Sequence, residues 1–154
     1  MPRSAPWFLA AALVVAADRL TKWLVVGWLR KGESFEVTGF FELVLVYNQG
    51  AAFSFLADAA GWQRPFFIAV AIVVSAIVGA MLWRNPGKRL LCAGLALILG
   101  GALGNLWDRI VLGAVVDFLD FHAYGWHWPA FNVADAAISV GAALVIADGF
   151  RHRA

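Results

Sequence analysis

Two aspartates stand where a carboxylate is hard to ionise. Asp117 lies in Val115-Val116-Asp117-Phe118-Leu119, and Asp135 in Phe131-Asn132-Val133-Ala134-Asp135-Ala136-Ala137-Ile138. Apolar surroundings disfavour the charged form and raise a carboxyl's pKa. Two such groups sharing one site cannot both ionise easily. The ionised member can draw a proton from water while the protonated member polarises a carbonyl. That division of labour is aspartic-peptidase chemistry, and it is open to Asp117 and Asp135 if their side chains meet. Asp135 also has a purely local use, because Asn132 is a good helix N-cap and an acidic residue three positions later makes a capping-box-like arrangement. The two uses are compatible, since a cap fixes where the carboxylate points.

The other polar residues in apolar stretches also need an account. Asp18, Arg19 and Lys22 interrupt the first such stretch, where each charge costs at least about 2.5–3.5 kcal/mol at a bilayer centre. They must be paired or face water. Asp18 and Lys22 are four apart and share a helix face, which permits an ion pair. A structural pair and a substrate-facing cluster both fit that spacing. Gly100 and Gly104 form a Gly-x-x-x-Gly, which lets a neighbouring helix come close. Asn105 follows at a spacing that shares a face with Asp108 or Arg109, and an interfacial salt-bridge cluster is the plain reading of these three. His122 and His127 are badly spaced for one helix face, and the single cysteine, Cys92, has no thiol or histidine nearby, so no metal centre is expected. No Ser or Cys sits in a nucleophile elbow, and the glycine run lacks the preceding strand of a phosphate loop.

The elements that must carry these residues follow from composition. The chain is 62% hydrophobic and 14% charged, against about a quarter charged in a soluble domain. Its basic residues fall in small groups rather than along one face, which argues against nucleic acid as a partner. A membrane helix needs about 20 apolar residues, so 154 residues leave room for one membrane domain, 1–154, with four spans at about 7–29, 65–83, 90–106 and 133–150. Trp7, Trp28, Trp62, Trp83 and Trp107 lie near the span ends, where amphipathic rings favour the headgroup layer. Between the first two spans, the run from Phe35 to Tyr47 is rich in β-branched and aromatic residues and is broken at Thr38-Gly39. It is expected to form a small β-hairpin outside the cytoplasm. The connection from Trp107 to Asn132 is long and aromatic, as functional connections often are. The fold class is therefore integral membrane, mainly α, with four transmembrane helices and a hairpin-like element. A cleaved signal peptide ending near Val15-Ala16-Ala17 is a rival for the start, but its removal would destroy the first span. An ion- or proton-coupled transporter would use Asp18, Arg19 and Lys22 without explaining the aromatic connections. A purely structural subunit would leave Asp117 and Asp135 only as caps.

Five stretches, in order, resemble the motif set of the lipoprotein signal peptidases, or signal peptidase II. They are Asp18-Arg19-Leu20-Thr21-Lys22, Asn48-Gln49-Gly50-Ala51-Ala52-Phe53-Ser54, Gly100 through Arg109, Gly113-Ala114-Val115-Val116-Asp117-Phe118, and Phe131 through Asp135. The resemblance covers nearly the whole chain. It implies an endopeptidase that removes the signal peptide from bacterial prolipoproteins, cutting just before a diacylglyceryl-modified cysteine. It carries the catalytic role to Asp117 and Asp135. Site-supporting or substrate-binding roles go to Asp18, Lys22, Asn48, Gly50, Gly104, Asn105, Arg109, Asn132 and Ala134. It further implies membrane lipid and globomycin-type inhibitors as partners, no metal or organic cofactor, and a place in the bacterial cytoplasmic (inner) membrane.

Orientation follows from the basic residues outside the spans. Arg3, then Arg84, Lys88 and Arg89, then Arg151 and Arg153 all fall on one side, whereas the opposite connections mix Arg30, Lys31, Arg64 and Arg109 with Glu33, Glu36, Glu42, Asp58, Asp108, Asp117 and Asp120. By the positive-inside rule both termini are cytoplasmic and the aspartates face outward. Reporter fusions should read cytoplasmic at Ala154 and in the loop from Arg84 to Arg89, and external near Glu42 and Tyr124. A cytoplasmic reading at Tyr124 would overturn this topology.

Overall fold

The computed structural model describes residues 3–50 and 62–151. Ala51, Ala52, Phe53 and Ser54 of the second motif, with Asp58, Arg153 and Ala154, lie outside the described residues. Among the described residues, four helices and four strands follow in the order α1 (Ala5–Trp28), β1 (Ser34–Thr38), β2 (Phe41–Asn48), α2 (Gln63–Arg84), α3 (Arg89–Val111), β3 (Val115–Ala123), β4 (Trp126–His127) and α4 (Val133–Arg151). The protein is mainly helical, with a small antiparallel sheet of strand order β1-β2-β3-β4.

Among the described residues three helices, α2, α3 and α4, are long and apolar enough to cross a membrane. α1 has 24 residues, but every 18-residue stretch of it contains Asp18, Arg19 and Lys22, so it exceeds the charge such a span ordinarily tolerates. Those charges do not lie on its outside. Asp18 and Lys22 are buried, while Leu9, Leu13, Leu20 and Trp23 are more than half exposed. This inverted helix, polar within and apolar without, suits a lipid surround, where polar groups must be satisfied inside the protein.

α3 is central and packs against α1, α2 and α4. Glycine makes that possible. A Cβ at Gly100 would lie 2.6 Å from the Ala11 carbonyl of α1, one at Gly101 2.4 Å from the Ala134 carbonyl of α4, and one at Gly94 2.7 Å from the Gly141 carbonyl. The expected Gly-x-x-x-Gly therefore works unevenly. Gly100 admits a helix backbone, whereas a Cβ at Gly104 would lie 2.7 Å from the Asp18 carboxylate, so Gly104 makes room for a charged side chain.

The hairpin forms where expected, with Ser34 opposite Val44 and Glu36 opposite Glu42. The second connection departs from expectation by continuing the same sheet. β3 pairs with β2, with Val46 opposite Asp117 and Tyr47 opposite Val116. β3 then turns into β4 through Tyr124 and Gly125, both at positive φ, as a two-residue type I′ hairpin requires. Asp117 thus stands on a strand. α3 also runs five residues beyond the expected end at 106, to Val111. Arg64 caps that extension, its guanidinium donating to the Arg109 carbonyl at 3.0 Å and the Ile110 carbonyl at 2.9 Å, which satisfies two of the last orphan acceptors of the helix.

Gly101→Ala should lower stability by about 1–3 kcal/mol, as overpacking does. Gly79→Ala, in α2 with no atom within 4 Å of the added Cβ, should be neutral or gain up to about 1 kcal/mol. Thermal unfolding in detergent checks this, and equal effects at the two positions would contradict the packing account.

Candidate active site

Asp117 and Asp135 are brought to one place by asparagines, whose orientations are fixed by partners that can only donate. Asn132 caps α4: its Oδ1 accepts the Asp135 N–H at 2.9 Å, and the Asp135 carboxylate accepts the Asn132 N–H at 3.3 Å, completing the expected capping box. A backbone N–H cannot accept, so the Asn132 amide nitrogen must point the other way. It donates to Asp117 Oδ1 at 2.7 Å and to the Val116 carbonyl at 3.1 Å. One residue therefore orients both carboxylates.

Asn105 is fixed in the same manner. The Lys22 ammonium, donor only, bonds Asn105 Oδ1 at 3.0 Å, so Asn105 Nδ2 faces Asp135 Oδ1, to which it donates at 2.7 Å. The second oxygen of Asp117 accepts from Asn48 Nδ2 at 3.0 Å. Asn48 ends β2 and reaches Asp117 diagonally across the ladder. Its Oδ1 accepts the Gly50 N–H at 2.8 Å. Gly50 has φ of 106°, and a Cβ there would meet the Phe67 ring at 2.3 Å, so only glycine fits.

Behind the carboxylates lies a buried charge group. Lys22 Nζ is 2.8 Å from Asp18 Oδ2 and 2.8 Å from Asp108 Oδ2, and Arg19 also pairs with Asp108. Asp18 Oδ1 accepts the Ala134 N–H at 3.0 Å, one of the orphan donors at the start of α4. Ala134 is wholly buried between Gly101 and Gly104, leaving no space for a larger side chain. Arg109 lies over the Phe67 ring at 5.3 Å, close enough for its charge to act on Asp135, Asp117 and Asp108.

Burial pushes the Asp117 carboxyl up to about 6, and the neighbouring Asp135 adds to the rise. N–H donation from Asn48 and Asn132 and the Lys22 charge pull the other way without cancelling it. A carboxyl poised near neutrality beside a second one can exchange a proton with water at physiological pH.

Every residue expected at the site lies in or against this network. Of the two alternatives for Asp18 and Lys22, the structural pair is the one found, since neither side chain is open to a substrate. The expectation for Asp108 holds with different partners. It does sit in a salt-bridge cluster, but a wholly buried one whose cations are Arg19 and Lys22 of α1 rather than Arg109. Charge balance held the signal: the first span carries Arg19 and Lys22 against Asp18 alone, so its burial requires another carboxylate. Phe67 was also missed. For metal, Glu42, Asp120 and His127 bring ligand atoms within 4.8 Å of one another. Asp120 lies three positions from Asp117 on β3 and so on the opposite face. His127 there is already engaged by Asp120 at 3.0 Å and by stacking on His122.

Apolar helices with a small sheet, and two carboxylates tied to one asparagine where two elements meet, fit a membrane hydrolase of the aspartic type. The family model described as Signal peptidase (SPase) II matches residues 10–151, and the chain belongs to that family, whose members remove signal peptides from prolipoproteins. The lipoprotein signal peptidase of Cupriavidus necator is 59% identical over 146 residues, covering 95% of this chain and 83% of that protein. The lipoprotein signal peptidase of Paraburkholderia phytofirmans is 54% identical over 148 residues, covering 96% and 86%. A solved bacterial membrane enzyme superposes with a TM-score of 0.84 at 29% identity, covering 97% of this chain and 90% of that one. A second such enzyme gives 0.82 at 30% identity, covering 92% and 90%.

Proposed function

We propose that this signal peptidase II cleaves just before a diacylglyceryl-modified cysteine, with Asp117 and Asp135 as its catalytic pair. The observation that carries the reading is the single Asn132 side chain that caps Asp135 and donates to Asp117. In this mechanism the ionised aspartate takes a proton from water as the oxygen attacks the scissile carbonyl. The protonated one polarises that carbonyl and then helps protonate the leaving amine. Asn48, Asn105 and Asn132 hold the carboxylates, Asp18, Lys22, Gly104 and Ala134 hold the frame, Gly50 shapes the β2 exit, and Arg109 supplies positive charge.

The whole chain, 1–154, acts as one membrane domain on this reading. α1 joins α2, α3 and α4 as a fourth span, because its charges are satisfied internally and its outer face is apolar. Both termini are cytoplasmic, and the sheet and aspartates face outward in the inner membrane. The substrate's signal helix lies among the spans in membrane lipid, and a globomycin-type inhibitor competes for the same place. The chemistry runs on side chains and water without a cofactor, so a chelator leaves turnover unchanged.

The test is turnover of a lipidated prolipoprotein by purified, inserted enzyme. Asp117→Asn and Asp135→Asn should each lower the rate by about 10³-fold or more, and the double replacement should be scarcely worse than either, as for groups that act as a unit. A capping role alone predicts a milder result, since a lost cap costs only about 0.5–2 kcal/mol of stability. Near-normal turnover by either single variant removes that residue from the mechanism.

A further inference from the structure

The catalytic reading leaves the wholly buried carboxylate of Asp108 without a task. Asp108 has no exposed side-chain surface and has three partners. Arg19, itself lying over the Trp107 ring at 5.8 Å, holds one oxygen. Lys22 holds the other at 2.8 Å. That second oxygen also accepts the backbone N–H of Val116, at 3.2 Å.

Neutralising Lys22 and Arg19 would explain the first two partners but not the third. Val116 immediately precedes Asp117, and its other free backbone group, the carbonyl, is taken by Asn132 at 3.1 Å. Two residues on, Phe118 donates along the same strand edge to the Phe131 carbonyl at 3.0 Å. Asp108 therefore stands in for a strand partner where the Phe131 segment has moved away. Val116 is clamped on both sides, by α3 through its N–H and by the start of α4 through its carbonyl, and the second of these peptide groups carries the Asp117 nitrogen.

We propose that Asp108 is a positioning residue for the peptidase reaction: by accepting the Val116 N–H it holds Asp117 against Asn132, and Arg19 holds Asp108. The inference rests on the reading of Asp117 as catalytic. Misplacing a reacting group by about 1 Å can cost on the order of 100-fold in rate, and a lost clamp at Val116 acts through such a displacement.

The test separates the acceptor from the charge. Arg19→Gln with Asp108→Asn, and Arg19→Gln with Asp108→Ala, each remove one positive and one negative charge, but only the first keeps an oxygen for Val116. Turnover of a lipidated prolipoprotein is measured per site, with sites counted by binding of a non-cleavable lipopeptide, and amide exchange at Val116 is followed in parallel. The expected result is a kcat about 10- to 100-fold lower in the alanine pair than in the asparagine pair, with similar KM and faster Val116 exchange. Equal kcat per site in the two pairs overturns the proposal. Should the alanine pair fail to fold, Asp108→Glu serves, because it keeps the charge but displaces the carboxylate: reduced kcat at unchanged KM supports positioning, and full kcat refutes it. Asp117→Asn is assayed alongside. If it is inactive while the pairs are equal, this inference alone fails; if it turns over normally, the catalytic reading fails and takes this inference with it.

Discussion

The buried charge group of Asp18, Lys22 and Asp108, closed by Arg19, is the constraint on which the rest of the structure depends. Taking ions out of water costs several kcal/mol each, and the loss is offset only where geometry is good and the remaining lone pairs are bonded. Here each carboxylate completes its bonding with a backbone N–H: Asp18 with Ala134 at the start of α4, Asp108 with Val116 on β3. Each of those residues is the immediate neighbour of one of the proposed catalytic aspartates. The ammonium of Lys22 also sets Asn105, which sets the Asp135 carboxylate. Satisfying buried charge and aiming the two aspartates are thus one requirement.

Such a group can be built only where helices come unusually close. The glycines of α3 bring α1 and α4 near enough for Asp18 to span from one helix to the start of another, and Gly104 leaves room for its carboxylate. Outside, the arrangement reverses. The surfaces of α1 and α2 away from α3 carry exposed Leu, Ile, Val and Trp side chains, which suits lipid and would be unfavourable in water. Rigid packing within and apolar surface without leave the sheet to complete the site from one end, through Asn48 and Asp117.

The sequence was most informative where the signal is local. Long apolar stretches located the helices to within a few residues, apart from the end of α3, which continues past 106 through Asp108 and Arg109 to Val111 and has its Arg109 and Ile110 carbonyls capped from α2 by Arg64. Turn chemistry at Thr38-Gly39 located the hairpin, and the spacing of Asn132 and Asp135 located the cap. What escaped was non-local. β3 has both faces largely covered near Asp117, so Val115-Val116-Asp117-Phe118 shows no alternation of buried and exposed residues to mark a strand. Its partner β2 lies about seventy positions earlier, and β4 is only two residues long. The partners of Asp108 on α1 are separated from it in the same way, and only the uncompensated positive charge of the first span pointed to it. The aspartate pair itself was legible as chemistry, while its meeting place needed Asn132 to be seen in three dimensions.

The central claim is that Asp117 is held by asparagine donors in a buried site that keeps its proton close to neutral pH. Infrared difference spectroscopy of the detergent-solubilised enzyme across a pH titration tests it directly. The account predicts a protonated-carboxyl band that is present below about pH 6 and lost above it, and that is absent from Asp117→Asn. In Asn48→Ala the midpoint should move to higher pH, because an N–H donor that favours the ionised form has been removed. A band that titrates unchanged in Asp117→Asn, or no carboxyl titrating above the ordinary aspartate range, would contradict it.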